Sequence, residues 1–87
     1  MALDFPNESR SYDAKNNRVR FWGHDRAIEI SFFVEADALC ELEPRTKTVE
    51  AGYLETFDAA RDRIYETARR AYSRTRRTAY LLAAADF

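Results

Sequence analysis

The residue types that carry chemistry are few and scattered. His24 is the single histidine and stands beside Asp25, one residue after Gly23. A His–Asp pair can hold an imidazole in one tautomer for acid–base work. Such a base needs a pocket and a nucleophile to act on, whereas Gly23-His24-Asp25-Arg26 reads as a polar turn. Cys40 is the single cysteine. Its neighbours Leu39, Glu41 and Leu42 supply no base, and nearby carboxylates raise a thiol pKa, so it reads as a packing residue. One cysteine excludes an internal disulfide and a multi-cysteine zinc site. Asp58, Asp62 and Glu66 fall at i, i+4 and i+8, a spacing that could build a ladder of metal ligands. Arginines surround them, and Asp58–Arg61 and Glu66–Arg70 match helical ion-pair spacings worth about 0.2–0.5 kcal/mol each. A salt-bridged, solvated face is expected there, with no metal site. Gly23 and Gly52 stand far apart and form no phosphate-binding loop. No catalytic residue and no cofactor is assigned, and an enzyme is not expected.

The arginines are the one uneven feature. Between Arg61 and Arg77 there are seven arginines against Asp62 and Glu66, a local charge of +5 that leaves −6 on the rest of a chain whose net charge is −1. Arg69, Arg70, Arg74, Arg76 and Arg77 are candidates for contact with phosphates, Tyr72 and Tyr80 lying close enough to stack on bases. The same cations also complement a helix C-terminus or an acidic region of this chain or of a neighbour.

The elements that must position these residues follow from periodicity. Leu3 and Phe5 around Asp4 read as an edge strand of about residues 2–5, ended by Pro6. Runs at about 10–14 and 18–23 flank Asn16-Asn17, residue types that tolerate left-handed backbone and so suit a hairpin loop. Val19 and Phe21 share one face, Arg20 and Trp22 the other. The next strand, about 27–34, places Ile28, Ile30, Phe32 and Val34 on one face and Glu29, Ser31 and Phe33 on the other. A short helix spans about 35–42, stopped by Pro44. Thr48 is a candidate N-cap for a long helix over about 49–73, with Tyr53, Phe57, Ala60, Ile64, Ala68 and Ala71 as its apolar stripe. Its 25 residues would make a rod of roughly 37 Å. Residues 79–85 are ambiguous: alanines favour helix, while Tyr80, Leu82 and Ala84 alternate as in a strand. The expected fold is a single two-layer α+β domain. An antiparallel sheet of four to five strands carries one short and one long helix on one face.

Composition narrows the function further. With 87 residues, 46% hydrophobic and 14% aromatic, the chain is one small globule and neither a polybasic nor an acidic disordered protein. The first residues lack the basic and long apolar regions of a secretory signal, and no run approaches the roughly 18 apolar residues of a membrane helix. A soluble, cytoplasmic protein with no membrane partner is expected. Two functions remain. The first is a non-catalytic binding or regulatory module working through protein contact, self-association as a homodimer included. Trp22, Phe33 and Tyr12 would make its apolar contact, with Arg69, Arg70 and Arg74 as the charged one. The alternative is nucleic-acid binding through the arginine cluster.

Several strings along the chain point to a family. Phe5-Pro6, Ser11-Tyr12-Asp13, Val19-Arg20-Phe21-Trp22-Gly23 and Ile30-Ser31-Phe32-Phe33-Val34 come first. With the helix positions Phe57, Arg61, Ile64 and Ala68, and the closing Ala84-Ala85-Asp86-Phe87, they resemble a family of short bacterial proteins defined only as a domain of unknown function, number 1488. The resemblance covers nearly the whole chain. It implies a compact α+β fold with a C-terminal strand, which favours strand at Tyr80–Ala84, and it implies no activity or catalytic residue.

Overall fold

Alternation at period two sets the sheet and its two faces. A computed structural model describes residues 3–87, so Ala2, the expected start of the first strand, lies outside the described residues. The strands are β1 (Leu3–Asp4), β2 (Arg10–Asp13), β3 (Arg18–Asp25), β4 (Ile28–Glu35) and β5 (Ala79–Leu82). Between the last two lie α1 (Ala36–Leu42), α2 (Glu50–Ala59) and α3 (Arg61–Arg74), and a 3-10 turn over Ala84–Asp86 ends the chain. Among the described residues no helix is long and apolar enough to cross a membrane.

The sheet is built on β3. β4 pairs with it antiparallel along its whole length, from Arg18↔Glu35 to Asp25↔Ile28. The other edge of β3 is shared: β2 takes its first half, from Asp13↔Arg18 to Arg10↔Phe21, and β1 its end, at Asp4↔His24 and Leu3↔Asp25. β5 lies on the far side of β4 and runs parallel to it, from Ser31↔Ala79 to Val34↔Leu82. β2, β3 and β4 are antiparallel because hairpins join them, and β1, on the same edge as β2 and running in the same direction, is antiparallel to β3 as well. The fifth is parallel because three helices carry the chain back across the sheet before it re-enters beside Ser31. The result is a two-layer α+β fold on a mixed, five-stranded sheet.

Both hairpins turn through left-handed residues. Asn17, at φ 52°, closes the β2–β3 loop, where its side-chain oxygen accepts from the Tyr12 phenol at 2.6 Å. The second reversal falls later than the sequence suggests. Gly23, His24 and Asp25 continue β3, because Leu3 and Asp4 pair on one side of it and Ile28 and Glu29 on the other. Only Arg26 and Ala27 are left to turn the chain, with Arg26 at φ 59°.

Val19, Phe21, Ile30, Phe32 and Val34 form the buried face. Leu39, Phe57, Ile64 and Ala68 meet them from the three helices. Ile28 shares their parity but sits at the hairpin end, past the helical layer, and is 55% exposed. Gly23 faces inward too. A β-carbon there would stand 3.0 Å from both Leu3 and Phe5 side-chain carbons, so its bareness admits the Phe5 ring, which stacks on Tyr65 at 3.9 Å.

The long helix is two helices. Ala60, at φ −103° and ψ 15°, separates α2 from α3. Hydrogen bonds from the Ala60 and Ile64 amides still reach four residues back, so the break is a bend at one residue. An unbroken rod of roughly 37 Å would match the longest extent of the whole molecule, 35 Å, and overhang an eight-residue strand of about 26 Å. No proline or glycine marks the bend. It coincides with contacts that hold its two sides to the sheet edge: Arg10 to Asp58, and Arg61 to Asp58 and to the Glu8 carbonyl. Thr48 is not the cap of α2. Val49 takes that position without a side-chain bond, and Thr46 instead pairs with the buried Thr56 hydroxyl at 2.7 Å.

Two substitutions read this backbone in opposite directions. Gly52 in α2 lies under the preceding loop, where a β-carbon would stand 2.1 Å from the Lys47 carbonyl oxygen. Gly52→Ala, which in an open helix gains about 0.5–1 kcal/mol, here destabilises by about 1–3 kcal/mol in urea melts. Arg26→Gly removes a left-handed side-chain clash and leaves stability unchanged or raises it by up to about 1 kcal/mol.

Candidate functional site

All three helices pack on the face that holds Val19 and Phe21. The opposite face of the sheet carries Arg18, Arg20, Trp22 and His24 from β3, and Glu29, Ser31, Phe33 and Glu35 from β4. Phe33 lies directly across from Arg20, and Trp22 directly across from Ser31, so the two rings are diagonal neighbours. The arginines fill the spaces. The Arg18 guanidinium sits 3.9 Å above the Phe33 ring centre. That of Arg20 lies 4.9 Å from Trp22 and 5.8 Å from Phe33. Arg18, Phe33, Arg20 and Trp22 thus form one alternating stack of cations and rings. Each such contact is worth about 0.5–1 kcal/mol at an exposed site and more once desolvated.

The stack is held from its sides. Arg20 donates to the Ser31 hydroxyl at 3.1 Å, and its Nε is buried without a hydrogen-bond partner. Arg18 donates to Asp13 at 3.2 Å. The Asp13 carboxyl is held below its ordinary range, first by the Asn16 side-chain amide and then, against the cost of burial, by the Asn16 backbone and Arg18. Leu81 of β5, paired with Phe33 in the parallel register, extends the apolar surface and is 50% exposed. Acids stand around this centre: Asp4 opposite His24, Asp13 opposite Arg18, and Glu29 and Glu35 at the two ends of β4.

Of the expected contact residues, Trp22 and Phe33 are brought together and Tyr12 is not. The parity of β2 turns Tyr12 to the helical side, where it stacks on Tyr53 at 5.6 Å. The alternation of Ser11, Tyr12 and Asp13 against Val19 fixes this, so Tyr12 belongs to the layer interface. Arg18 and Leu81 join the face without being among the expected residues. Arg18 has the same parity as Arg20 and Trp22 and opens the strand expected over 18–23, so the alternation already placed it on this face. Leu81 needs the parallel register, which alternation alone does not supply.

The arginine cluster is divided in the fold. Arg69 donates to the Leu3 carbonyl at 3.3 Å and lies over Phe5. Arg76 stands 3.8 Å from Asp25 and over Tyr72. These two pin the N-terminal strand and the β3–β4 hairpin to α3. Arg70 reaches the Thr67 hydroxyl rather than Glu66, and all five arginines, Arg74 and Arg77 with them, are exposed. The Tyr72 phenol donates to Asp25 at 2.6 Å, and that bond, with burial, holds its pKa above the ordinary value.

His24 and Cys40 do not meet. His24 is on the uncovered sheet face, and Cys40 is on α1, packed against the core from the helical side. No group of three or more His, Cys, Asp or Glu side chains among the described residues is placed to hold a metal ion. Two open clefts of about 300 Å³ each flank the helical layer. One is lined by Leu42, Glu43, Glu55 and Thr56, the other by Asp25, Ile28, Tyr72, Arg76 and Arg77. Neither gathers a nucleophile with a base.

Residues 3–82, from β1 through β5, match a family described as Protein of unknown function (DUF1488). The chain belongs to that family. The match takes in every strand of the sheet, both faces included, and brings no activity with it. Comparison of this DUF1488 chain with curated proteins and with solved structures gives no match.

The edge contacts carry a pH dependence. Asp58 is held below its ordinary pKa, first by Arg10 and then, against burial, by Arg61. A depressed folded pKa means stability that is present above the unfolded value near 4 and lost as pH falls through the folded value. Asp58→Asn should cost about 0.5–1 kcal/mol at pH 7, a half-exposed pair being screened by water. The gap between variant and wild type should shrink between pH 5 and pH 2 in denaturant melts.

Proposed function

We propose that the protein is a non-catalytic binding module that acts through protein contact, and that the uncovered sheet face is its contact surface. The observation that carries this reading is the stack of Arg18, Phe33, Arg20 and Trp22 on a face that none of the three helices covers. Tryptophan, aromatic and arginine side chains at the centre of a patch, inside a polar rim, are what protein hot spots use. Holding Arg20 between two rings and the Ser31 hydroxyl lowers the side-chain entropy that binding would otherwise cost. The acidic rim argues for protein over nucleic acid: Asp4, Asp13, Glu29 and Glu35 outnumber Arg18 and Arg20 on this face and would repel phosphates. On the helical side, Arg69 and Arg76 already serve contacts within the chain, which weakens the arginine cluster as a phosphate-binding stripe.

A photo-crosslinking side chain at Leu81, beside the stack, should give discrete protease-sensitive products in cells making the protein. The same probe at Glu66, on the exposed side of α3, should give none. Products from Glu66 alone, or products sensitive to nuclease, would contradict the reading.

A further inference from the structure

We infer that the occupant of the sheet face is a second copy of this chain, related by a two-fold axis running along the seam between β3 and β4. The inference rests on the reading of that face as a protein-contact surface and names the partner.

The register of β3 against β4 sets this axis. A half-turn about an axis lying along the seam, in the plane of contact, brings β3 of one copy over β4 of the other. It exchanges the members of each cross-strand pair. Outward residues that face each other within one sheet then face each other between the two sheets. The outward pairs are Arg18↔Glu35, Arg20↔Phe33, Trp22↔Ser31 and His24↔Glu29. Each is complementary to itself under the exchange: cation to carboxylate, cation to ring, indole to hydroxyl, imidazole to carboxylate. The operation applies every contact twice, as a closed, isologous interface requires. Within one chain, Arg18 pairs with Asp13 rather than with Glu35, so Glu35 has its carboxylate to offer across the seam.

Other placements do worse. An axis perpendicular to the strands would set β3 over β3 and β4 over β4, bringing Arg18 toward His24 and Glu35 toward Glu29 of the second copy. Glu35 would then meet a like charge, and Arg18 would lose its carboxylate partner. Packed sheets cross at about 30°, which displaces the outer rows by about one strand spacing of 4.8 Å and stays within the reach of an arginine. Four strands across, with β1 and β2 sharing one edge of β3, and eight-residue β3 and β4 give a face of roughly 20 by 25 Å. That projection is below the about 800 Å² per partner of a standard interface, so the dimer belongs to the weak, concentration-dependent class.

Two variants test the operator through complementation. In its own dimer, Arg18→Glu sets carboxylate against carboxylate at both copies of the contact between positions 18 and 35. Glu35→Arg sets guanidinium against guanidinium at the same two places. In the mixed dimer both copies of the contact join unlike charges. Position 18 of the first variant and position 35 of the second meet as carboxylate and guanidinium, and the remaining contact joins the native Arg18 and Glu35. Sedimentation equilibrium of the full chain at low salt should show each variant alone associating about tenfold or more weaker than wild type. The equimolar mixture should recover to within about threefold of wild type. Glu35 makes no side-chain cap bond to α1, so Glu35→Arg keeps its fold. If Arg18→Glu fails to fold, the loss of association in Glu35→Arg alone carries the test. A variant that associates like wild type, or a mixture no stronger than its parts, overturns the axis. A wild-type chain that stays monomeric at millimolar concentration overturns the inference altogether. The broader reading then stands if the Leu81 probe still captures a different protein, and falls if it captures none.

Discussion

Both faces of the sheet depend on the eight-pair register between β3 and β4. Successive side chains of a strand point to opposite faces, so a slip of β4 by one residue against β3 would send Phe32 and Val34 into water and drive Phe33 and Glu35 under the helices. Burial of the inward set therefore enforces the placement of the outward set. No other strand pair has this reach. β2 and β1 divide one edge of β3 between them, and β5 adds four residues beyond β4. The arginine–aromatic stack is in this sense a by-product of the core: once Val19 and Phe21 are inside, Arg18, Arg20 and Trp22 have one place to go.

The two sides of the sheet meet water differently. On the covered side, rings from strands and helices interlock: Phe21 on Phe32, Phe57 and Tyr65, and Phe5 on Tyr65. On the other side no helix arrives, and arginine stems and guanidinium planes lie on the rings instead. That arrangement shields Trp22 and Phe33 in part while leaving a polar, displaceable cover. A surface of this kind is compatible with a folded monomer in water and with burial against a partner. A bare aromatic face would favour aggregation.

Much of this is legible in the residues. The alternation Ile30, Phe32, Val34 against Glu29, Ser31, Phe33 names both faces of β4, and Val19 and Phe21 against Arg20 and Trp22 do the same for β3. The short helix before Pro44, the Asn16-Asn17 hairpin and the meeting of Trp22 with Phe33 follow from local rules. What is not legible depends on partners distant in sequence. The strand runs through Gly23-His24-Asp25 because Leu3 and Asp4 return to pair there, a tertiary contact that overrides turn-forming residue types. Ala60 bends the long helix although alanine is the best helix former. A straight rod would overrun the sheet, and the constraint lies in Arg10 and Glu8, some fifty residues away. Tyr12 lands on the wrong face when aromatic type is weighed above the parity of a four-residue strand. The arginine run looks like one patch because sequence shows density of charge and not direction. All five arginines stay exposed, but folding lays Arg69 and Arg76 along the surface against Phe5, Tyr72 and Asp25, while Arg74 and Arg77 point elsewhere.

Trp22 is the chain's single tryptophan, and it sits at the centre of the face in question. Its fluorescence therefore reports directly on whether a second copy covers that face. Acrylamide quenching, followed from nanomolar to near-millimolar protein, measures the access of a small neutral solute to the indole. Quenching should weaken and the emission maximum should move to the blue as concentration rises, in step with dimer formation. Quenching that stays constant across the whole range while the protein dimerises would place the contact elsewhere on the molecule and contradict the account.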